Sequence, residues 1–238
     1  MVEFVDLWIY LSATPLFGLT ATLATYVVAH AVYDRLGRSP WANPVLWSVV
    51  ALATLLAATG TPYPTYFAGA QFVHFLLGPA VVALAWPLWQ HRAPLRRRWR
   101  ALGAAALVGG FVAAGSAVAL GRWLDLPAHV LASLAPKSVT APVAMGLAQQ
   151  LGGVPALAAV FAVLTGIIGA LLARSVLDAL GMRDPAVRGF ALGTVSHGIG
   201  AARALQVHPT AGAFAALALG VQVLLATALL PLALRALA

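Results

Sequence analysis

The sequence predicts an all-α fold, a polytopic integral membrane helical bundle, and three observations carry that prediction. Of 238 residues, 62% are hydrophobic and 8% charged, with a mean hydropathy of +0.92, too apolar for a water-soluble domain of this length. Apolar stretches close to the length of a bilayer crossing recur with little charge inside them. Basic residues gather in the short connections between those stretches. Lipid offers no water to the backbone, so each stretch is expected to satisfy its own N–H and C=O groups as a helix.

Eight apolar segments follow in order, giving about seven to eight helices in a single membrane domain over 1–238. The first, about 7–33, comes after MVEFVDLW, where Glu3 and Asp6 replace the positive charge of a signal peptide, so a retained span is expected. The second, 45–59, is short for a crossing at about 1.5 Å per residue and needs flanking residues to span. The third, 67–90, is interrupted by Gly78 and Pro79, with Gln71 and His74 as supporting polar residues. The fourth, 101–120, follows an arginine-rich connection. The fifth, 128–151, sets Lys137 between Pro136 and Pro142. The sixth, seventh and eighth cover 155–177, 187–205 and 211–234.

The excess of 14 Lys+Arg over 6 Asp+Glu does not point to nucleic acid, because most arginines lie in connections, as cytoplasmic loops require. Zero cysteines exclude disulfides, thiolate catalysis and cysteine metal sites; no metal or cofactor is expected. Basic groups stand at 34–44, 91–100, 174–188 and Arg235. They share one side if 128–151 enters and leaves on the same face, which puts the N-terminus outside and the C-terminus in the cytoplasm. An ordinary proline-kinked crossing is the alternative for that segment.

A lysine at a helix centre costs about 2.5–3.5 kcal/mol on insertion scales, so it usually faces a cavity. Pro142 lacks an N–H and would clash with the Ser138 carbonyl, while Ala135 and Ala141, each before a proline, are pushed out of αR. A helix break over about 136–141 is therefore expected, with a half-helix near Pro142 aiming its positive end at the gap. Lys137, Ser138 and Thr140 would then make an anion site. The plainer reading is that Lys137 snorkels and the prolines only kink packing.

The second candidate stretch is GFALGTVSHGIGAARA. As one helix it would set Gly189, Gly193 and His197 on one face and Ser196, Gly200 and Arg203 on another. Gly189 and Gly193 form a GxxxG, more often packing than binding; His197 is as easily a satisfied packing residue as a ligand, and Arg203 could snorkel. His197 and Arg203, with Ser196 and Gly200, are nonetheless expected to complete the anion site at Lys137 or to gate it. All six acidic residues lie at segment ends or in connections. That argues against an aspartyl protease, a cation channel or a carboxylate sodium site, and for an anionic ligand; no enzyme activity is expected.

At APKSVTAPVAM and LGTVSHGIGAARAL the chain resembles the LrgB/CidB family of bacterial membrane proteins, whose plant relatives include the plastidial glycolate/glycerate translocator. PLFGLT, YFAGAQFVHFLLGPAVVALAWPL, QLGGVPALAAVFAVLTGIIGA and GAFAALALG extend the likeness over nearly the whole chain. The resemblance implies transport of small carboxylates such as pyruvate, lactate, glycolate or glycerate across the bacterial inner membrane. It also implies a small LrgA/CidA-type membrane partner, beside possible homo-oligomers. Its other implication is a holin/antiholin-like pore or regulator of murein hydrolases and autolysis. Ala201 departs from the family pattern, where threonine is more usual.

Overall fold

The structure is a computed structural model that describes residues 15–83, 85–90 and 92–236. Glu3, Asp6 and the 7–14 part of the first segment lie outside the described residues. Among the described residues the chain is helical, without strands. It packs as two compact units, Met1–Ala83 and Leu84–Ala238.

In the first unit, α1 (Pro15–Arg35) leads through a 3-10 turn, Pro40–Ala42, into α2 (Pro44–Thr59). Asn43 caps α2, its Oδ1 accepting from the N–H groups of Val45 and Leu46 at 2.9 and 3.2 Å, with Pro44 pre-set for the first turn. Gly60 ends α2 in the left-handed region. α3 (Tyr63–Phe75) closes on α1 where Gly18 lets the helices approach; a Cβ there would run into the Tyr66 carbonyl. Thr22 and Tyr66 share a hydroxyl–hydroxyl bond of 2.7 Å across that contact. Pro79 cannot donate to the Phe75 carbonyl, so the helix is interrupted at Leu76 and resumes as α4 (Leu77–Ala83).

The second unit contains α5 (Ala85–Gln90), α6 (Arg92–Trp123), α7 (Ala128–Leu134), α8 (Ala141–Gln150), α9 (Pro155–Ala179), α10 (Pro185–Val207) and α11 (Pro209–Ala236). Five stretches among the described residues are long and apolar enough to cross a membrane: Leu16–Arg35, Pro40–Thr59, Arg92–Trp123, Pro155–Ala179 and Pro209–Ala233. Large apolar side chains on them point outward, including Val27, Val108 and Leu224. The buried positions are mostly alanine and glycine, as expected where helices associate by close backbone approach in lipid.

The fifth predicted segment is broken, as the prolines require, and it folds back. The break covers 135–140, and the Val154 N–H returns to the Ser133 Oγ at 2.7 Å. A Cβ on Gly153 would sit 2.8 Å from the Ser133 N. A continuous kinked helix would separate residues 133 and 154 by about 30 Å; α7 and α8 instead form a hairpin whose ends lie together.

The seventh segment corrects the sequence-based picture. The apolar pattern predicts one crossing helix, yet His197 has φ 41° and ψ −129°, and α10 doubles back there. Gly189 and Gly193 pack on Ala211 and Ala215 of α11, while Gly212 packs on Leu205. In a straight helix residues 189 and 205 would be about 24 Å apart; here both meet the start of α11. The α10 limbs are thus a second hairpin: Gly189 and Gly193 do share one face, which packs on α11, but no single helical face continues through His197 to Gly200 and Arg203. Its signal in the sequence is the pair Gly198 and Gly200, with no Cβ to obstruct the reversal. A Cβ on Gly200 would stand 2.6 Å from the Leu192 carbonyl.

A second correction follows for the C-terminus. Arg98 pairs with Asp184 at 3.3 Å, so the start of α6 and the start of α10 share one end of the unit. α11 begins at that end, where Phe214 packs with Phe190, Ala186 and Leu95. It then runs parallel to α6, Gln222 donating to the Ala106 carbonyl at 2.7 Å. The end of α11 therefore lies opposite the arginines of 91–100, and Arg235 does not join them. With α10 turning back, the connection at 206–210 changes ends, and every element after it is inverted relative to the expectation.

Candidate functional site

The two hairpins open from opposite ends of the second unit and their tips approach the same part of α9. Val139, in the first tip, shares a buried cluster with Ala158 and Ala162 of α9 and with Ala144 of α8. His197, in the second, places Nε2 2.8 Å from the Ala162 carbonyl. A carbonyl only accepts, so Nε2 carries the proton. Gly166 gives the imidazole room, since a Cβ there would stand 2.9 Å from Nε2. His197 is 4% exposed, and it fastens the second tip to α9.

Each tip carries a buried serine hydroxyl, Ser138 and Ser196, that finds no hydrogen-bond partner among the described residues. Such an orphan hydroxyl costs about 1–3 kcal/mol. Ser196 is fully buried against Gly169, where a Cβ would overlap its Oγ. Ser138 lines a cavity of about 280 Å³ between α6, the first tip and α11. Most of the lining is apolar, from residues such as Phe111, Val118, Leu225 and Leu229; the polar contributors are Ser138, Gln222 and Arg122. Gln222 is held by its bond to Ala106, in space left by Gly110.

The predicted residues are thus only partly assembled. Ser138 faces the cavity, whereas Lys137 and Thr140 are not among its lining residues. Tight turns run through the break, the N–H groups of Lys137 and Val139 donating to Leu134 and Pro136 at 3.1 and 3.2 Å, so successive side chains diverge. Lys137 is half-buried and pairs with no carboxylate among the described residues. Pro136 is fully buried in the tip. Thr140 is the N-cap residue of α8 without a side-chain capping bond, and Pro142 stands in the first turn.

Gly200 serves the reversal of α10 and Arg203 is half-buried on its second limb; neither lines the cavity. Gln71 donates to the Ala68 carbonyl at 2.7 Å and His74 packs edge-on to Phe67, both within the first unit. Gly78 and Pro79 interrupt the third segment there, at Leu76. Sequence reasoning missed Arg122 and Gln222. Their signals were a lone arginine closing the fourth segment and a lone glutamine inside the eighth.

The LrgB-like family profile matches residues 22–236. An uncharacterized protein of Haemophilus influenzae is 33% identical over 177 residues, 74% of this chain and 77% of that protein. The uncharacterized protein YwbG of Bacillus subtilis is 32% identical over 195 residues, 82% of this chain and 86% of YwbG. The holin-like protein CidB of Staphylococcus epidermidis is 28% identical over 225 residues, 93% of this chain and 96% of CidB. No solved structure matches the chain.

Proposed function

The chain belongs to the LrgB-like family, and on that premise we propose that it is a holin-like multi-pass protein of the bacterial inner membrane. In this role it controls membrane permeability to small solutes and, through that, murein hydrolase activity and autolysis. The observation that carries the proposal is the near end-to-end similarity to a protein named holin-like, 93% of this chain against 96% of CidB. A small LrgA/CidA-type membrane protein is the proposed partner. The role requires no catalytic group.

A second reading, saturable transport of small monocarboxylates, is favoured by the opposed hairpins. Broken helices meeting near the middle of a bundle are the construction that carriers use for solute sites. Ser138 lines the cavity, its hydroxyl buried and without a partner among the described residues, and Arg122 and Gln222 are the other polar residues along it. Cation, hydroxyl and amide without a carboxylate suit an anion.

Proteoliposomes separate the two readings. Release of many unrelated solutes without saturation, with or without the small partner, supports the holin-like role. Saturable uptake of one carboxylate with retention of dyes supports the carrier, and loss of that uptake in Ser138→Ala and Arg122→Gln would locate its site. Tight vesicles without uptake under either condition would refute both.

A further inference from the structure

We infer that the outward face of the first turns of α6 is a binding surface for anionic phospholipid headgroups. Within nine residues, Arg92 to Arg100, the chain places five arginines, Arg92, Arg96, Arg97, Arg98 and Arg100. Helix geometry sorts them. At about 100° per residue, Leu95, Arg98 and Leu102 fall on one side and Arg92, Arg96, Arg97 and Arg100 on the other.

The packing agrees with that division. Leu95 and Leu102 lie against the cluster of Ala186, Phe190 and Phe214, and Arg98 reaches Asp184. The inward side is committed to the fold. The four outward arginines are exposed and pair with no carboxylate among the described residues. The other carboxylate at this end, Asp178, is already engaged by Arg174 and Arg188.

Aromatic residues set the level of this face. Trp86, Trp89 and Trp99 are 66%, 62% and 65% exposed, and tryptophan concentrates where headgroups meet hydrocarbon. Arg92 lies 4.5 Å from the Trp89 ring centroid and Arg100 5.4 Å from that of Trp99. These contacts hold the guanidinium groups beside the rings at headgroup depth. The apolar part of α6 begins directly after Arg100.

Orientation by positive charge requires only an excess of Lys or Arg on one side. It gives no reason for four guanidinium groups to share one outward face beside three tryptophans. Clustered phosphates do, because guanidinium forks bind phosphate oxygens bidentately, and polybasic segments bordering a span attract anionic lipid. Arg96 and Arg100 are one turn apart, close enough to hold the two phosphates of a cardiolipin-type headgroup.

The test is thermal unfolding of the purified protein in neutral detergent, titrated with cardiolipin, phosphatidylglycerol, phosphatidylcholine or inorganic phosphate. The expected result is a rise in Tm with the anionic lipids, largest for cardiolipin and absent for phosphatidylcholine and inorganic phosphate. Arg96→Gln/Arg97→Gln/Arg100→Gln should abolish the rise. A control at the same end, Arg174→Gln/Arg183→Gln, which removes two charges rather than three, should keep it. Equal loss in both variants, a full rise in the first, or an equal rise with inorganic phosphate would overturn the inference. Lipid co-purification read by native mass spectrometry decides the question if the first variant unfolds early.

Discussion

The Val154 N–H donates to the Ser133 Oγ at 2.7 Å across 21 residues of sequence. Ser133 in turn donates to the His129 carbonyl at 2.7 Å. This relay makes 128–154 a hairpin: the serine ties the incoming limb to the point where the chain leaves for α9. The hairpin carries the Pro136–Thr140 break into the bundle and returns to the end from which it entered.

Its first consequence is topological. The chain has no cysteine, so single cysteines placed at Ala128 and Gln150, both exposed, report without background. Membrane-impermeant maleimide should label both from the same side. Labelling from opposite sides would restore the kinked crossing.

Ser138 should trade function against stability. Its buried hydroxyl has no partner among the described residues, so Ser138→Ala should leave the melting temperature unchanged or raise it, by the equivalent of up to about 1 kcal/mol. Solute flux in proteoliposomes should fall in the same variant. A large loss of stability would show that the hydroxyl is structurally engaged.

His197 holds a backbone conformation that costs a side-chain-bearing residue about 1–3 kcal/mol. Its bond to Ala162 and its packing on Gly166 offset that strain. His197→Gly relieves the strain and loses the bond; His197→Ala loses the bond and keeps the strain. The glycine variant should therefore melt above the alanine variant by the equivalent of about 1 kcal/mol. The reverse order in detergent melts would mean that the reversal is not strained.

The glycines facing α11 should be intolerant of a methyl group. A Cβ on Gly193 would collide with the Ala215 backbone, whereas one on Gly220 meets nothing within 4 Å. Gly193→Ala should cost about 1–3 kcal/mol by overpacking. Gly220→Ala should stabilise by about 0.5–1 kcal/mol through reduced backbone freedom. Thermal unfolding of the pair checks both signs.

Asp184 should govern part of the acid response. It accepts the Ala186 N–H at 2.8 Å and meets Arg98 at 3.3 Å. The backbone N–H of Ala186 first, and the Arg98 guanidinium with it, hold its carboxyl below the usual carboxylate range. The unfolded chain then takes up the proton first as pH falls. The stability from this contact is complete above the ordinary carboxylate pKa of about 3.9 and is lost as pH drops through the lower folded value. Asp184→Asn should keep the cap and flatten that limb of the melting-temperature profile; an unchanged acid limb would dissociate the contact from acid unfolding.

The sequence by itself determined the helical membrane class and the break around Lys137. Both rest on local physics: apolar length against bilayer thickness, and the missing N–H and restricted neighbours of proline. Family membership was also legible, through the strings around Lys137 and His197. Only the tertiary structure decided where the chain reverses. An apolar helix that crosses and one that turns halfway have the same composition, and the difference lies in pairings such as Ser133 with Val154 and Gly212 with Leu205. For the same reason the sequence paired Ser138 with its neighbours Lys137 and Thr140. Side chains in a tight turn diverge, and the cavity takes Arg122 and Gln222 from helices that reach Ser138 only after folding.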